Sequence, residues 1–208
     1  MQKIKSSAVL LAAGEGSRMG SIAKSLLQYN GKTFLENQLT TLMQAGIQSI
    51  HVVTGYHHAE IEHELNKLIE SGKFPDPKSI RILRNPAPER GQQSSVHLAL
   101  EAIDRDCDQI LIALADQPLI NAKDMIELID AFANRDIGKE ILYPIVDGQR
   151  GHPVLLSGPA LTLYLAQAGK MSCRQFIDST PERVIQWPTN NRHYIIDVDT
   201  PEDLNKLG

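Results

Sequence analysis

Ala8-Val-Leu-Leu-Ala-Ala-Gly14-Glu-Gly16-Ser-Arg18-Met-Gly20, with Lys24 four residues further on, decides how the rest of this chain is understood. The apolar run Ala8 to Ala12, closed by a glycine-rich stretch, suits a strand buried on both faces of a sheet. The glycines that follow let backbone amides turn inward with no Cβ in the way, which makes an anion-binding concavity. Arg18 offers a planar fork for phosphate oxygens, and Lys24 a point charge. Together these features describe a triphosphate site. The same loop, read as packing alone, would be a βα turn with two solvated charges. A dinucleotide fingerprint GxGxxG fits Gly14 and Gly16 but fails at Met19, and no Gly-Lys-Ser/Thr of a Walker A loop follows.

Outward from that loop, strand-like and helix-like segments alternate. Thr33 and Glu36 have the spacing of a capping box, with Glu36 reaching back, ahead of a helix to about Ala45 that Gly46 stops. Strands are expected at Ile50–Val53 and Ile80–Leu83, with a helix over Ala59–Ile69 between them. The second half repeats the rhythm: a helix over Ser94–Ile103, the most apolar strand at Gln109–Leu114, and a helix over Asp124–Phe132. Ile141–Tyr143, Val154–Leu156 and Tyr194–Ile196 are further strand candidates. Thr200 caps a last helix with Pro201 at its first position. Such alternation implies a mostly parallel sheet with helices on both faces, a three-layer α/β/α, Rossmann-like architecture. Ligands of these sheets bind beyond the carboxyl ends of the strands.

The chain has 208 residues, with 42% hydrophobic and 22% charged. That fits one globular domain over residues 1–208 and excludes an intrinsically disordered chain. A net charge of −4 gives no extended basic surface, so nucleic acid is not an expected partner. Cys107 and Cys173 are the only cysteines, too few for a disulfide framework and without zinc-site spacing, so both are expected to be small buried residues. With no targeting stretch or membrane span to be read, a cytoplasmic, membrane-free setting is expected.

Several residues carry two readings. Asp116 follows the most apolar strand and should emerge at the sheet edge facing Gly14, where magnesium could take it with substrate phosphates; it could equally open a turn before Pro118. Asp197 and Asp199 share one face of an extended segment. Asp203 is a first-turn acid favoured by the helix dipole. Ser94 or Ser95 could cap the helix that follows Gly91. His57-His58 is a surface pair at a helix start and receives no role.

The string LAAGxGxRMG…K resembles the nucleotidyltransferases of the glycosyltransferase-A-like, nucleotide-diphospho-sugar transferase fold. It is most similar to the molybdenum cofactor cytidylyltransferase family. Gly91-Gln-Gln-Ser-Ser95, Asp116-Gln-Pro118, Gly151-His-Pro-Val154 and Asp197-Val-Asp-Thr-Pro-Glu-Asp203 extend the match in order along the chain. The resemblance implies nucleotide contacts from Leu11, Ala12, Ala13, Gly14, Glu15, Gly16, Ser17, Arg18, Lys24, Gly91 and Ser95. It implies catalytic parts for Arg18, Lys24 and Asp116, Mg2+ on Asp116 and Asp199, and acceptor contact by His152. CTP is the implied nucleotide because Leu-Ala-Ala-Gly is the cytidylyl form, where guanylyl members place glycine at position 13. Glu15-Gly16 departs from the usual cytidylyl pattern. A molybdopterin-type acceptor is implied, with a molybdenum enzyme as a possible receiver of the product. Transfer with GTP or to a sugar phosphate, a dinucleotide-dependent oxidoreductase and a non-catalytic maturation factor are the alternatives.

Overall fold

The computed structural model describes residues 4–74, 76–167 and 170–207. Its strands are β1 (Ser6–Ala12), β2 (Gln28–Tyr29), β3 (Lys32–Thr33), β4 (Ser49–Thr54), β5 (Ile80–Arg84), β6 (Gln109–Leu114), β7 (Ile141–Val146), β8 (Gln149–Arg150), β9 (Val154–Ser157) and β10 (Val184–Pro188). Its helices are α1 (Phe34–Gln44), α2 (His58–Glu70), α3 (Gln92–Ala102), α4 (Ala122–Ala133), α5 (Gly158–Ala166), α6 (Cys173–Ser179) and α7 (Pro201–Asn205). One eight-stranded sheet runs in the order β10-β7-β9-β6-β1-β4-β5, with β8 hairpinned onto β7, while β2 and β3 pair separately. All pairings along that order are parallel except those of β9, which runs against both β6 and β7.

The burial of β1 on both faces explains its unbroken apolar sequence. Ala8, Leu10 and Ala12 pack into the layer formed by α1, α2 and α4. Val9 and Leu11 pack into the opposite layer, built from α3, α5 and α6. Helices cover both faces, so the three-layer, mostly parallel expectation holds. No described helix is long and apolar enough to cross a membrane. Both cysteines are buried and free.

Local expectations fare unevenly. Thr33 caps α1 by accepting from the Glu36 amide at 3.1 Å, but Glu36 does not reach back. Its carboxylate instead accepts from Lys73 Nζ at 2.9 Å, a cationic partner that outcompetes a backbone amide. Tyr194–Ile196 is not a strand. A 3-10 turn over Arg192–Ile195 stands there, because side chains offer its backbone other partners. Asn191 caps the turn through His193 N, and the Tyr194 hydroxyl donates to the Asp124 carbonyl at 2.7 Å. The sheet edge is β10, a half-exposed strand ending in Pro188 whose polar alternation gives little apolar signal. Neither Ser94 nor Ser95 caps α3. Its N-cap, Gly91, receives no side chain, while both hydroxyls accept from Asn85 Nδ2 at 2.8 and 2.9 Å.

Candidate active site

The glycine loop leaves the carboxyl end of β1 in the middle of the sheet. Gly16 takes a left-handed φ of 67°, and a Cβ there would overlap the Ile22 carbonyl oxygen. Only glycine fits this turn. The turn folds Ser17–Met19 into one 3-10 turn, with Met19 N and Ser21 N both donating to the Gly16 carbonyl. The loop is held from outside by His57, whose Nε2 donates to the Glu15 carbonyl at 2.8 Å. A pocket of about 260 Å³ opens under it, lined by Leu11, Ala12, Gly14, Glu15, Gly16, Ser17, Arg18, Lys24 and Asp116. Those nine are residues the sequence singles out. Ala13 lies beside the pocket, facing Gly55, where an added Cβ would come within 2.8 Å of the Ala13 methyl.

A charge cluster closes the pocket. Lys24 Nζ donates to Asp199 Oδ1 at 2.5 Å and to Asp116 Oδ2 at 3.2 Å. Arg18 reaches the other Asp199 oxygen at 2.8 Å. Burial works against the charge of Lys24, yet its hydrogen bond to Asp199 and the neighbouring Asp116 outweigh that and hold its pKa above the ordinary value. Asp197 sits behind them, its carboxyl pushed up to about 6 by burial and by the adjacent Asp116.

The backbone makes this convergence possible. Val198 N donates to the Asp116 carbonyl at 2.9 Å, stitching the 197–199 segment to the end of β6. Gln117 adds a second tie, donating to Asp197 Oδ1 at 2.7 Å while its own carbonyl accepts from Gln38 of α1 at 2.6 Å. Sequence reasoning gave Gln117 and His57 no part. The position rule for parallel sheets, applied after β4 as well as β1 and β6, would have pointed at His57. Asp203 bonds Thr200 in a capping box and stays outside the cluster, as expected of a first-turn acid.

Asp116 and Asp199 present hard carboxylate oxygens to one point, the position taken by Lys24 Nζ. Magnesium asks for one or two carboxylates with phosphate and water oxygens completing its shell, so this donor pair fits it. Among the described residues no group of three or more His, Cys, Asp or Glu is arranged to hold a metal by itself, so phosphate oxygens would be needed to complete the site.

Gly91 and His152 lie together in a different place, a second cavity of about 650 Å³ that also takes in Arg90, Arg150 and Arg174. His152 is fixed by its neighbour. A Cβ at Gly151 would overlap the Tyr194 carbonyl oxygen, and this close approach lets His152 N donate to the same oxygen at 2.9 Å. Ser95 is buried beneath this region.

The family model described as "MobA-like NTP transferase domain" matches residues 8–184. The nicotine blue oxidoreductase of Paenarthrobacter nicotinovorans is 28% identical, over 96% of this chain and 94% of that protein. The molybdenum cofactor cytidylyltransferase of Escherichia coli is 27% identical, over 94% and 92%. The crystal structure of Rv0371c from Mycobacterium tuberculosis superposes with a TM-score of 0.75 at 24% identity, covering 100% of this chain and 98% of that one. A second structure of that protein, in complex with manganese, gives a TM-score of 0.71 at 22% identity over 98% and 97%. These superpositions show a shared fold. The family match takes in the glycine loop, Asp116 and the second cavity, and on it this chain belongs to the MobA-like NTP transferase domain family and is a nucleotidyltransferase.

Proposed function

We propose that the protein transfers CMP from CTP to the phosphate of a molybdopterin-type acceptor, with Mg2+ as cofactor and pyrophosphate as the second product. The observation that carries this reading is the convergence of Arg18, Lys24, Asp116 and Asp199 on one point at the mouth of the glycine loop. Loop amides from Gly14 to Ser17, with Arg18, hold the phosphates that depart as pyrophosphate. Lys24 turns from the carboxylates to the charge developing on the transferred phosphoryl group. Asp116 and Asp199, released from Lys24, are the residues that would hold magnesium, which when bound supplies neutralising charge at the phosphates. An acceptor phosphate oxygen is already anionic at neutral pH, so it attacks the α-phosphorus without a protein base. The bond from that phosphorus to the bridging oxygen breaks, and the electron pair leaves with pyrophosphate.

Leu11-Ala-Ala-Gly14 supports CTP, as does the cytidylyltransferase among the relatives. A cytoplasmic setting belongs to the proposal, since both thiols are free. Pyrophosphate release, measured with each nucleoside triphosphate and with molybdopterin and Mg2+, tests it. CTP should give the fastest release, and Asp116→Ala should lose at least about a hundredfold in turnover while retaining CTP binding. Full turnover by that variant would refute the part given to Asp116.

The relative named as an oxidoreductase matches over nearly the whole chain and favours a second reading, in which the Gly14 loop takes a dinucleotide. Oxidation of a reduced nicotinamide cofactor, with no pyrophosphate release from any triphosphate, would select it.

A further inference from the structure

The glycine loop leaves its own amides without partners. Five in succession, from Gly14 to Arg18, find no acceptor among the described residues, whereas the amides of Met19, Gly20 and Ser21 close on the Gly16 and Ser17 carbonyls. Unmet amides that share a concave face collect anions. Their direction then matters as much as their number, because a peptide unit turned over presents its carbonyl oxygen to an anion and repels it.

Direction is least secure at the peptide between Glu15 and Gly16. A trans peptide carries its C=O and N–H on opposite sides, so the two turn over together. Glycine takes either sign of φ about equally, so the φ of 67° at Gly16 is no preference of the residue itself. Something else must hold the plane. The Glu15 carbonyl accepts one hydrogen bond among the described residues, from His57 Nε2 at 2.8 Å. That bond turns the carbonyl outward and sends the Gly16 N–H the other way, toward the pocket that Glu15, Gly16 and Ser17 line.

His57 stands on firm ground. β4 runs parallel to β1 with Thr54 beside Ala12, so the loops that follow the two strands leave the sheet side by side. They touch at once: a Cβ on Gly55 would stand 2.7 Å from the Ala13 carbonyl oxygen. The turn from Gly55 into α2 is closed by the His58 amide and Nδ1, which donate to the Gly55 carbonyl at 3.2 and 3.1 Å. The His57 carbonyl in turn accepts from Ile61 N at 3.1 Å. The imidazole therefore projects from a fixed helix start.

We infer that His57 is a positioning residue for phosphate binding: by holding the Glu15 carbonyl outward, it keeps the Gly16 amide aimed at the pyrophosphate portion of a nucleoside triphosphate. The inference rests on the reading in which the glycine loop holds the departing phosphates. To that reading it adds a residue from a neighbouring element that acts through the backbone.

Inorganic pyrophosphate, titrated calorimetrically into the full chain with Mg2+ present, is the probe. His57→Ala should weaken it about tenfold, the loss expected for one hydrogen bond to a charged group. His57→Gln, whose side-chain amide can donate from the position of Nε2, should recover most of that loss. In NMR spectra of isotope-labelled protein the Gly16 amide proton should move downfield as pyrophosphate binds. In His57→Ala that movement should vanish while Ser17 still responds. Arg18→Gln reports separately on where the probe sits, and should weaken pyrophosphate as well. If Arg18→Gln weakens it and His57→Ala does not, the inference falls and the loop reading stands. If neither does, both fall. Equal loss in His57→Ala and His57→Gln, or a Gly16 response that survives in His57→Ala, would also overturn the inference.

Discussion

Lys24 Nζ and Asp199 Oδ1 meet at 2.5 Å although 175 residues of chain separate them. The ammonium lies where a cation shared by Asp116 and Asp199 would lie, so Lys24 and a divalent ion compete for the same carboxylates. Replacing Lys24 by Met should therefore raise the affinity of the nucleotide-free protein for Mn2+, by about tenfold, because one stabilising charge has left the two acids. Electron paramagnetic resonance of free Mn2+ reads this directly. The same variant should turn over at least about a hundredfold more slowly. Unchanged Mn2+ affinity would show that the bridge does not guard the carboxylates.

The Ala13 methyl fills the space in front of Gly55, beside the pocket under the glycine loop. Ala13→Gly removes one methyl, a change of the size that shifts substrate preference by about tenfold. The ratio of kcat/KM for CTP to that for GTP should fall by about that factor. An unaltered ratio would remove position 13 from base selection.

Gln117 ties Asp197 to α1 through Gln38. In Gln117→Ala the exposed Asp197 loses a hydrogen bond to its carboxylate, so urea unfolding should report a loss of about 1 kcal/mol. The freed segment carries Asp199, and the Mg2+ concentration for half-maximal activity should rise more than the KM for CTP.

His51 points from β4 into the α3 side of the core, with neither ring nitrogen hydrogen-bonded. Burial lowers its pKa below the ordinary 6.5, Arg81 lowers it further, and Asp104 opposes them weakly. Below pH 6.5 the unfolded chain takes a proton at this position that the folded chain refuses, so stability must fall as pH falls. His51→Leu should abolish that part of the slope, up to about 1.4 kcal/mol per pH unit for one proton. Parallel unfolding curves for the two proteins between pH 7.5 and 5.5 would show that His51 titrates as freely folded as unfolded.

What was legible in the sequence is what local physics writes there. The unbroken apolar runs of β1 and β6 can exist only where both faces are buried, and the loop glycines mark a backbone that must turn tightly. Lys24 and Asp116 could be named as separate charges. That Lys24 would bridge Asp116 to Asp199 could not, because an ion pair between distant residues leaves no periodicity. The half-exposed β10 and the Arg192–Ile195 turn were hidden for a related reason. Their conformations are decided by partners elsewhere, the edge of β7 for one and the Asp124 carboxylate and carbonyl for the other. His57 looked like a surface residue because its single tie is to a backbone oxygen, which no side-chain pattern announces.

The central place of β1 also governs the order in which the molecule can assemble. Its pairing with β4 closes early, but its other edge waits for β6, whose Gln109 pairs with Ser6 about a hundred residues later. Until then a growing chain carries a strand buried along its whole length in the finished sheet with one row of amides and carbonyls unmet, the condition under which strands recruit wrong neighbours. β6 in turn waits for β9, which must return antiparallel from beyond α4 and β7. Folding of this sheet is thus dominated by long loop closures, and it should be slow for its size. β6, which leads into Asp116, is the last strand in the centre to be enclosed, so the pocket under the glycine loop comes into being only when the sheet is nearly complete.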